Sequence, residues 1–250
     1  MREAEGRAET TEKKTLEGRR AVVTGGASGI GAACVRAFAA AGATITVADL
    51  NEEAAKALAD EVGGTAWVAD LSGTAALDDL ELETDILVNN AGIQRSAPVE
   101  EFVPVNWRFI QRLMLEASFH LCRAALPGMY ERGFGRIINI SSIRGLIASP
   151  YKSAYITAKH GLQGLTKTLA LEGAEQGVTA YCIAPSYVRT PLVERQIADQ
   201  ARINGISEDD VLEKIMLANS PIKRLVEPDE VGSLAVWLAS DNSGMVTGPT

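Results

Sequence analysis

Apolar positions along this chain fall into two kinds of run. Short β-branched stretches at 21–24, 44–48, 65–68, 86–89 and 136–140, and at the start of 178–192, read as buried strands. Between them, apolar residues recur at helical spacing over 30–41, 52–62, 106–130, 153–173, 193–217 and 228–240. Gly42 ends the first of these helices, and Gly205 and Ser207 break the fifth. Only a turn or two of helix fits between Leu71 and Ile86. Strands alternating with helices predict an α/β fold: one doubly wound parallel sheet with helices on both faces. Residues 1–17 have almost nothing apolar and read as a disordered tail, leaving 18–250 as one domain. Its polar segment at about 191–217 reads as a small helical lid.

The first strand runs into TGGASGIG at 24–31, with Gly25, Gly29 and Gly31 in the turn. Glycines there let backbone N–H groups approach a pyrophosphate and let the helix start close to the strand. Gly25, Ser28, Gly29, Ile30 and Gly31 are therefore candidate cofactor residues. Asp49 closes the second strand, where an acidic side chain binds a ribose 2′-hydroxyl. Leu50 and Asn51 follow, with no Arg or Lys for a 2′-phosphate, so NAD is expected over NADP.

Tyr155 and Lys159 stand four apart, on one face of the 153–173 helix. A phenol titrates near ~10, and a neighbouring ammonium is expected to lower it. Tuned that way, it can take a proton from an alcohol or return one to a carbonyl. Ser142, at the end of the GRIINIS strand, is the hydroxyl expected to hold the same oxygen. A Tyr and a Lys at this spacing are common on helix surfaces, and only the nucleotide-type loop gives the pair meaning.

These motifs together resemble the short-chain dehydrogenase/reductase family over nearly all of 18–250: TGGASGIG, Asp49, Asp70-Leu71, NNAG at 89–92, Ser142 and YITAK at 155–159. The resemblance implies a Rossmann-type fold, a nicotinamide cofactor and a Ser142–Tyr155–Lys159 mechanism, with Lys159 on the nicotinamide ribose. It places Asp70 and Leu71 beside the adenine, and Asn89, Ala91 and Gly92 along the cofactor. Pro185, Val188 and Thr190 would serve the nicotinamide end. VNNAGIQ, FGRIINISS, KSAYITAKHG and VRTPLVERQI are similar to bacterial D-3-hydroxybutyrate dehydrogenases. That likeness implies a small anionic hydroxy or keto acid as substrate, its carboxylate held by Gln94, Arg144, Lys152 and Gln196, with Tyr187 shaping the pocket. It also implies a homotetramer.

Several positions depart from the family pattern. Met114 stands where the family commonly has a catalytic Asn, Ser186 replaces a Gly, and Tyr187 replaces a frequent Trp. Arg144 stands where the subfamily usually has His. The chain stops at MVTGPT, where the family continues through another strand, so an exposed sheet edge and weaker subunit contacts are expected. Two other readings stay open: a reductase of a neutral ketone or sugar alcohol, and a cofactor-binding scaffold with weakened catalysis.

Composition narrows the partners. A net charge of -8 argues against nucleic acid. No apolar run approaches the roughly 20 residues of a membrane span, and the N-terminus lacks a signal-peptide core. Cys34, Cys122 and Cys182 lie in apolar segments without metal spacing, so they read as reduced core residues of a cytoplasmic protein.

Overall fold

The structure is a computed structural model that describes residues 14–218 and 220–250. Six strands form one parallel sheet: β1 (Arg20–Thr24), β2 (Thr44–Asp49), β3 (Thr65–Val68), β4 (Ile86–Asn89), β5 (Gly135–Ile140) and β6 (Val178–Ile183), in the spatial order β3-β2-β1-β4-β5-β6. The order reverses between β1 and β4, and the crevice at their C-terminal ends is where such sheets bind ligands.

Alternation along the strands builds two cores. On one face Ala21, Val23, Val47 and Val88 pack against helix α1 (Gly29–Ala40), helix α2 (Glu52–Val62) and the last helix (Pro228–Ala239). On the other, Val22, Leu87 and Ile137 meet the helices at 117–131 and 153–173. Successive residues on a strand point to opposite faces, so each strand serves both cores.

The expected helix over 106–130 is present and carries a π-helical turn within it. Helix α3 (Pro104–Gln111) passes through a π-helical turn (Arg112–Glu116) into α4 (Ala117–Glu131). Such turns widen a helix locally and recur at functional sites; this one carries Met114. Helix α5 (Ser153–Gly173) carries the Tyr155–Lys159 pair. The lid segment is α6 (Pro191–Asn204), α7 (Glu208–Val211) and a second π-helical turn (Leu212–Met216). Gly205, at φ 63°, ends α6, and Ser207 caps α7 through the Asp210 N–H. The lid has its own apolar cluster of Val193, Ile197, Val211, Met216, Leu217 and Leu225. Helix α8 (Pro228–Ala239) opens on a capping box between Glu227 and Glu230.

Two expectations about the ends need revision. Of the expected tail, 1–13 lie outside the described residues, but Thr15 to Gly18 form a turn and Leu16 is 1% exposed. The Leu16 N–H donates to Ala41 O at 2.8 Å, so this lone apolar residue is anchored to the end of α1 and the folded unit begins before residue 18. The outer edge of β6 is covered rather than bare. Gly248 N–H donates to Ala180 O, and Cys182 N–H donates to Pro249 O. Among the described residues no helix is long and apolar enough to cross a membrane, and no cluster of three or more His, Cys, Asp or Glu could hold a metal ion. All three cysteines are buried and unpaired.

Candidate active site

A cavity of about 400 Å³ opens at the sheet's switch point. Gly25, Ser28, Gly29 and Ile30 line it from the loop into α1. Helix α1 begins with no side-chain cap and no acid in its first turn. Its first N–H groups are thus left for an anion, which the helix dipole favours. Asp49 lines the cavity from the end of β2, and its carboxylate accepts from the Ala27 and Asn51 N–H groups, both at 3.0 Å. Asp70, Leu71, Ala91 and Gly92 line it further along. The Asp70 carboxylate is held by the Ser72 hydroxyl and N–H, which keep it below the usual carboxylate range.

At the other end stand Ser142, Tyr155 and Lys159, with Pro185, Val188 and Thr190 beside them. Ser142 sits just past β5, and its Oγ accepts from the Arg144 N–H at 3.1 Å. Lys159 is 5% exposed, and its ammonium donates to Ile140 O at 2.5 Å and lies 5.7 Å from the Tyr155 ring centroid. Burial pulls the lysine down to about 8. The expected lowering of the Tyr155 phenol is not met: burial raises it, and a hydrogen bond with Ser142 offsets part of that rise. A phenolate in an apolar wall costs more than the carbonyl-directed ammonium returns.

Two candidate cofactor residues do not line the cavity. Gly31 lies beneath the loop, where a Cβ would meet Gly25 O at 2.1 Å. Asn89 is buried in the sheet, donating to Asn139 Oδ1 at 2.8 Å. Its neighbour Asn90, part of the NNAG stretch but given no role of its own there, lines the cavity and braces the glycine loop by donating to Thr24 O and Gly25 O. Period-2 alternation after a buried Asn89 is the signal that could have found it. Phe109, Leu113, Leu192 and Val193 also line the cavity and were not singled out. Their apolar side chains look like ordinary core in a sequence.

None of the five candidate substrate residues lines the cavity. Gln94 follows cavity-lining Ile93 in the chain, Arg144 donates its backbone N–H to Ser142, and Lys152 precedes Tyr155 by three; all three are half-buried. Tyr187 packs into the lid cluster, and its carbonyl accepts from Val226 N–H. Gln196 is half-buried on α6.

Residues 25–250 match the family model described as enoyl-(acyl carrier protein) reductase. A D-beta-hydroxybutyrate dehydrogenase of Rhizobium meliloti is 45% identical over 92% of this chain and 95% of its own length. Its counterpart in Cupriavidus necator is 44% identical over 93% and 95%. This chain belongs to the short-chain dehydrogenase/reductase family. It is an oxidoreductase of that family. A solved L-sorbose reductase from Gluconobacter frateurii, complexed with NADPH and L-sorbose, superimposes with a TM-score of 0.86 at 30% identity, covering 95% of each chain.

Within this short-chain dehydrogenase/reductase fold, Met114 fills a defined place. It is 1% exposed, lines the cavity, and its methyl lies 3.3 Å from where a Cβ on Gly92 would be. Its carbonyl accepts from Ser118 Oγ at 3.1 Å. A thioether there offers no strong donor or acceptor to the cavity.

The glycine loop yields a stability test. At Gly31→Ala the new methyl meets backbone atoms of Gly25 at 2.1 and 2.9 Å, which cannot turn aside as a side chain would. Overpacking of this kind costs about 1–3 kcal/mol, which lowers Tm by several degrees at roughly 2–4 °C per kcal/mol. The variant is expected to melt earlier and to bind dinucleotide more than tenfold more weakly. Thermal melts with and without NAD check this, and an unchanged melting point and affinity would count against the close packing described.

Proposed function

We propose that this chain catalyses the reversible NAD-dependent oxidation of D-3-hydroxybutyrate to acetoacetate. The observation that carries it is the meeting of Ser142, Tyr155 and Lys159 at one end of a cavity whose other end is a glycine loop with an open helix N-terminus. The two D-beta-hydroxybutyrate dehydrogenases among the relatives support the choice of acid.

The residues fit a dinucleotide. The pyrophosphate would lie on the Gly25–Gly29 loop and the start of α1. Asp49 would hold the adenosine ribose, and its negative charge opposes a 2′-phosphate. Exposed Leu50 and Asn51 beside it add no cation, which supports NAD over NADP. The bound nicotinamide supplies the hydride acceptor.

The protein's part is proton handling and positioning. Ser142 Oγ holds the substrate oxygen, and Tyr155 Oη takes the hydroxyl proton as the C–H bond breaks. The Tyr155 species that accepts this proton is the phenolate, which the Lys159 ammonium favours; the transfer leaves the neutral phenol, and the same ammonium steadies the ribose. Lys152, aided by Gln94, Arg144 and Gln196, holds the carboxylate; a charge-assisted hydrogen bond contributes roughly 1.5–3 kcal/mol. Helices α6 and α7, bound together by their own cluster, close over the substrate and exclude water. Exposed Val105, Trp107 and Phe119 on α3 and α4 suit helix pairing in a homotetramer, and the unpaired cysteines suit the cytoplasm.

The test is NADH production from D-3-hydroxybutyrate by wild type and Lys152→Ala. Wild-type turnover with a loss of about tenfold or more in kcat/KM for the variant is expected. Equal rates would remove the carboxylate from Lys152. A second reading, oxidation of a neutral sugar alcohol, draws on the L-sorbose reductase likeness and on the absence of all four carboxylate candidates from the cavity wall. It expects turnover of such alcohols to survive Lys152→Ala.

A further inference from the structure

Two cations flank Ser142 and Tyr155 in the chain, and among the described residues neither has an acidic partner. Arg144 begins beside Ser142, since its N–H donates to Ser142 Oγ at 3.1 Å. Lys152 is the N-cap residue of α5, three before Tyr155. Both are half-buried, and among the described residues no carboxylate pairs with either. Each stands within the other's field: Lys152 is held below the usual lysine range by burial and then by Arg144. By contrast, Arg20, Arg36, Arg132 and Arg224 are each answered by a glutamate or aspartate.

The corner is rigid. Ala97 N–H donates to Tyr151 O at 2.9 Å, tying the loop that carries Gln94 to the residue before Lys152. Tyr151, at φ 68°, is the one described non-glycine residue in the left-handed region. Such a conformation persists where the surroundings over-determine it, and it recurs at ligand clamps. The Arg144 guanidinium is also anchored, because its Nη1 donates to Ala148 O at 3.2 Å. That leaves the Nε–Nη2 edge, one of the edges a guanidinium offers to a carboxylate in two parallel hydrogen bonds.

A single carboxylate answers one of these charges and leaves the other without a counter-charge in a half-dry setting. Two carboxylates answer both. Neither cation lines the cavity, so a substrate that meets both must extend beyond it, as a second acidic arm does. We infer that this site accepts 3-hydroxy dicarboxylates and turns them over more efficiently than 3-hydroxybutyrate. One carboxylate sits on Lys152 and the other forks onto Arg144, with the hydroxyl between them on Ser142 and Tyr155. The carbinol C–H gives its hydride to NAD, the O–H proton goes to Tyr155, and the products are a 3-oxo dicarboxylate and NADH. This inference rests on the hydroxy-acid reading of the site.

The probe is 3-hydroxyglutarate, which is 3-hydroxybutyrate with a carboxylate added to its methyl carbon and has no enantiomers to separate. NADH production is followed on it and on D-3-hydroxybutyrate, for wild type and Arg144→Gln, with NAD binding as the check that the variant is folded. A wild-type kcat/KM at least tenfold higher on the dicarboxylate is expected, with that ratio falling at least tenfold in the variant. Turnover of D-3-hydroxybutyrate with an equal or lower kcat/KM on 3-hydroxyglutarate would overturn the inference and leave the hydroxy-acid reading standing. So would a ratio that Arg144→Gln does not change. NAD binding with no turnover of either acid would overturn both.

Discussion

Tyr155→Phe is expected to lower turnover about 10²–10⁴-fold, the range that positioned proton transfer supplies. The ring stays, and with it the packing against Met114, Ala154 and Ala158. What goes is one hydroxyl whose partner, Ser142 Oγ, keeps the Arg144 N–H. Stability should therefore change by no more than about 1 kcal/mol, and NAD affinity should hold within about twofold. Stopped-flow hydride transfer and NAD titration separate the two effects. Turnover preserved in the variant would remove Tyr155 from the chemistry, and lost NAD binding would make it a cofactor residue instead.

Lys159→Met is expected to move activity and stability in opposite directions. Burial lowers the lysine from 10.5 to about 8 in the folded chain. Between those two values the unfolded chain binds more protons, so wild-type stability rises with pH through that window. Below pH 8 the full cost of the buried charge is present, on the order of 3 kcal/mol. Met removes that cost but also the hydrogen bond to Ile140 O, leaving a net gain of about 1–3 kcal/mol at pH 7. The gain should vanish above pH 10.5, where the lysine is neutral in both states. Activity should fall at least ~10²-fold, since the phenolate at Tyr155 loses the ammonium that stands 5.7 Å from its ring centroid. Urea melts at pH 7 and pH 10.5 read the sign. A variant less stable than wild type at pH 7 would mean that the ammonium is well paired where it lies.

Those two substitutions act on residues four apart in the chain, and their spacing was readable because a helix repeats every 3.6 residues. The glycine loop and Asp49 were readable for a similar reason: local backbone demands and chain order place them. Less local features were not. Asn89 and Asn90 are adjacent and identical, yet one is buried against Asn139 and the other braces the glycine loop. Phe109, Leu113, Leu192 and Val193 became cavity wall only because the α3–α4 π-turn and the lid brought them to one crevice. Gln94, Arg144, Lys152 and Gln196 are near the site in the chain, but none reaches its wall.

By itself the sequence determined the alternation of strands and helices, the parallel sheet, and the chemical types gathered at the ends of β1, β2, β4 and β5. Periodicity and turn chemistry are local, and each segment carries them wherever it lies. Tertiary structure alone decided burial, and burial decided charge. It raised the phenol of Tyr155, lowered Lys159 to about 8, and left Arg144 and Lys152 half-buried with no acid paired to them among the described residues. Desolvation depends on everything packed around a group, and most of what surrounds these side chains comes from distant parts of the chain.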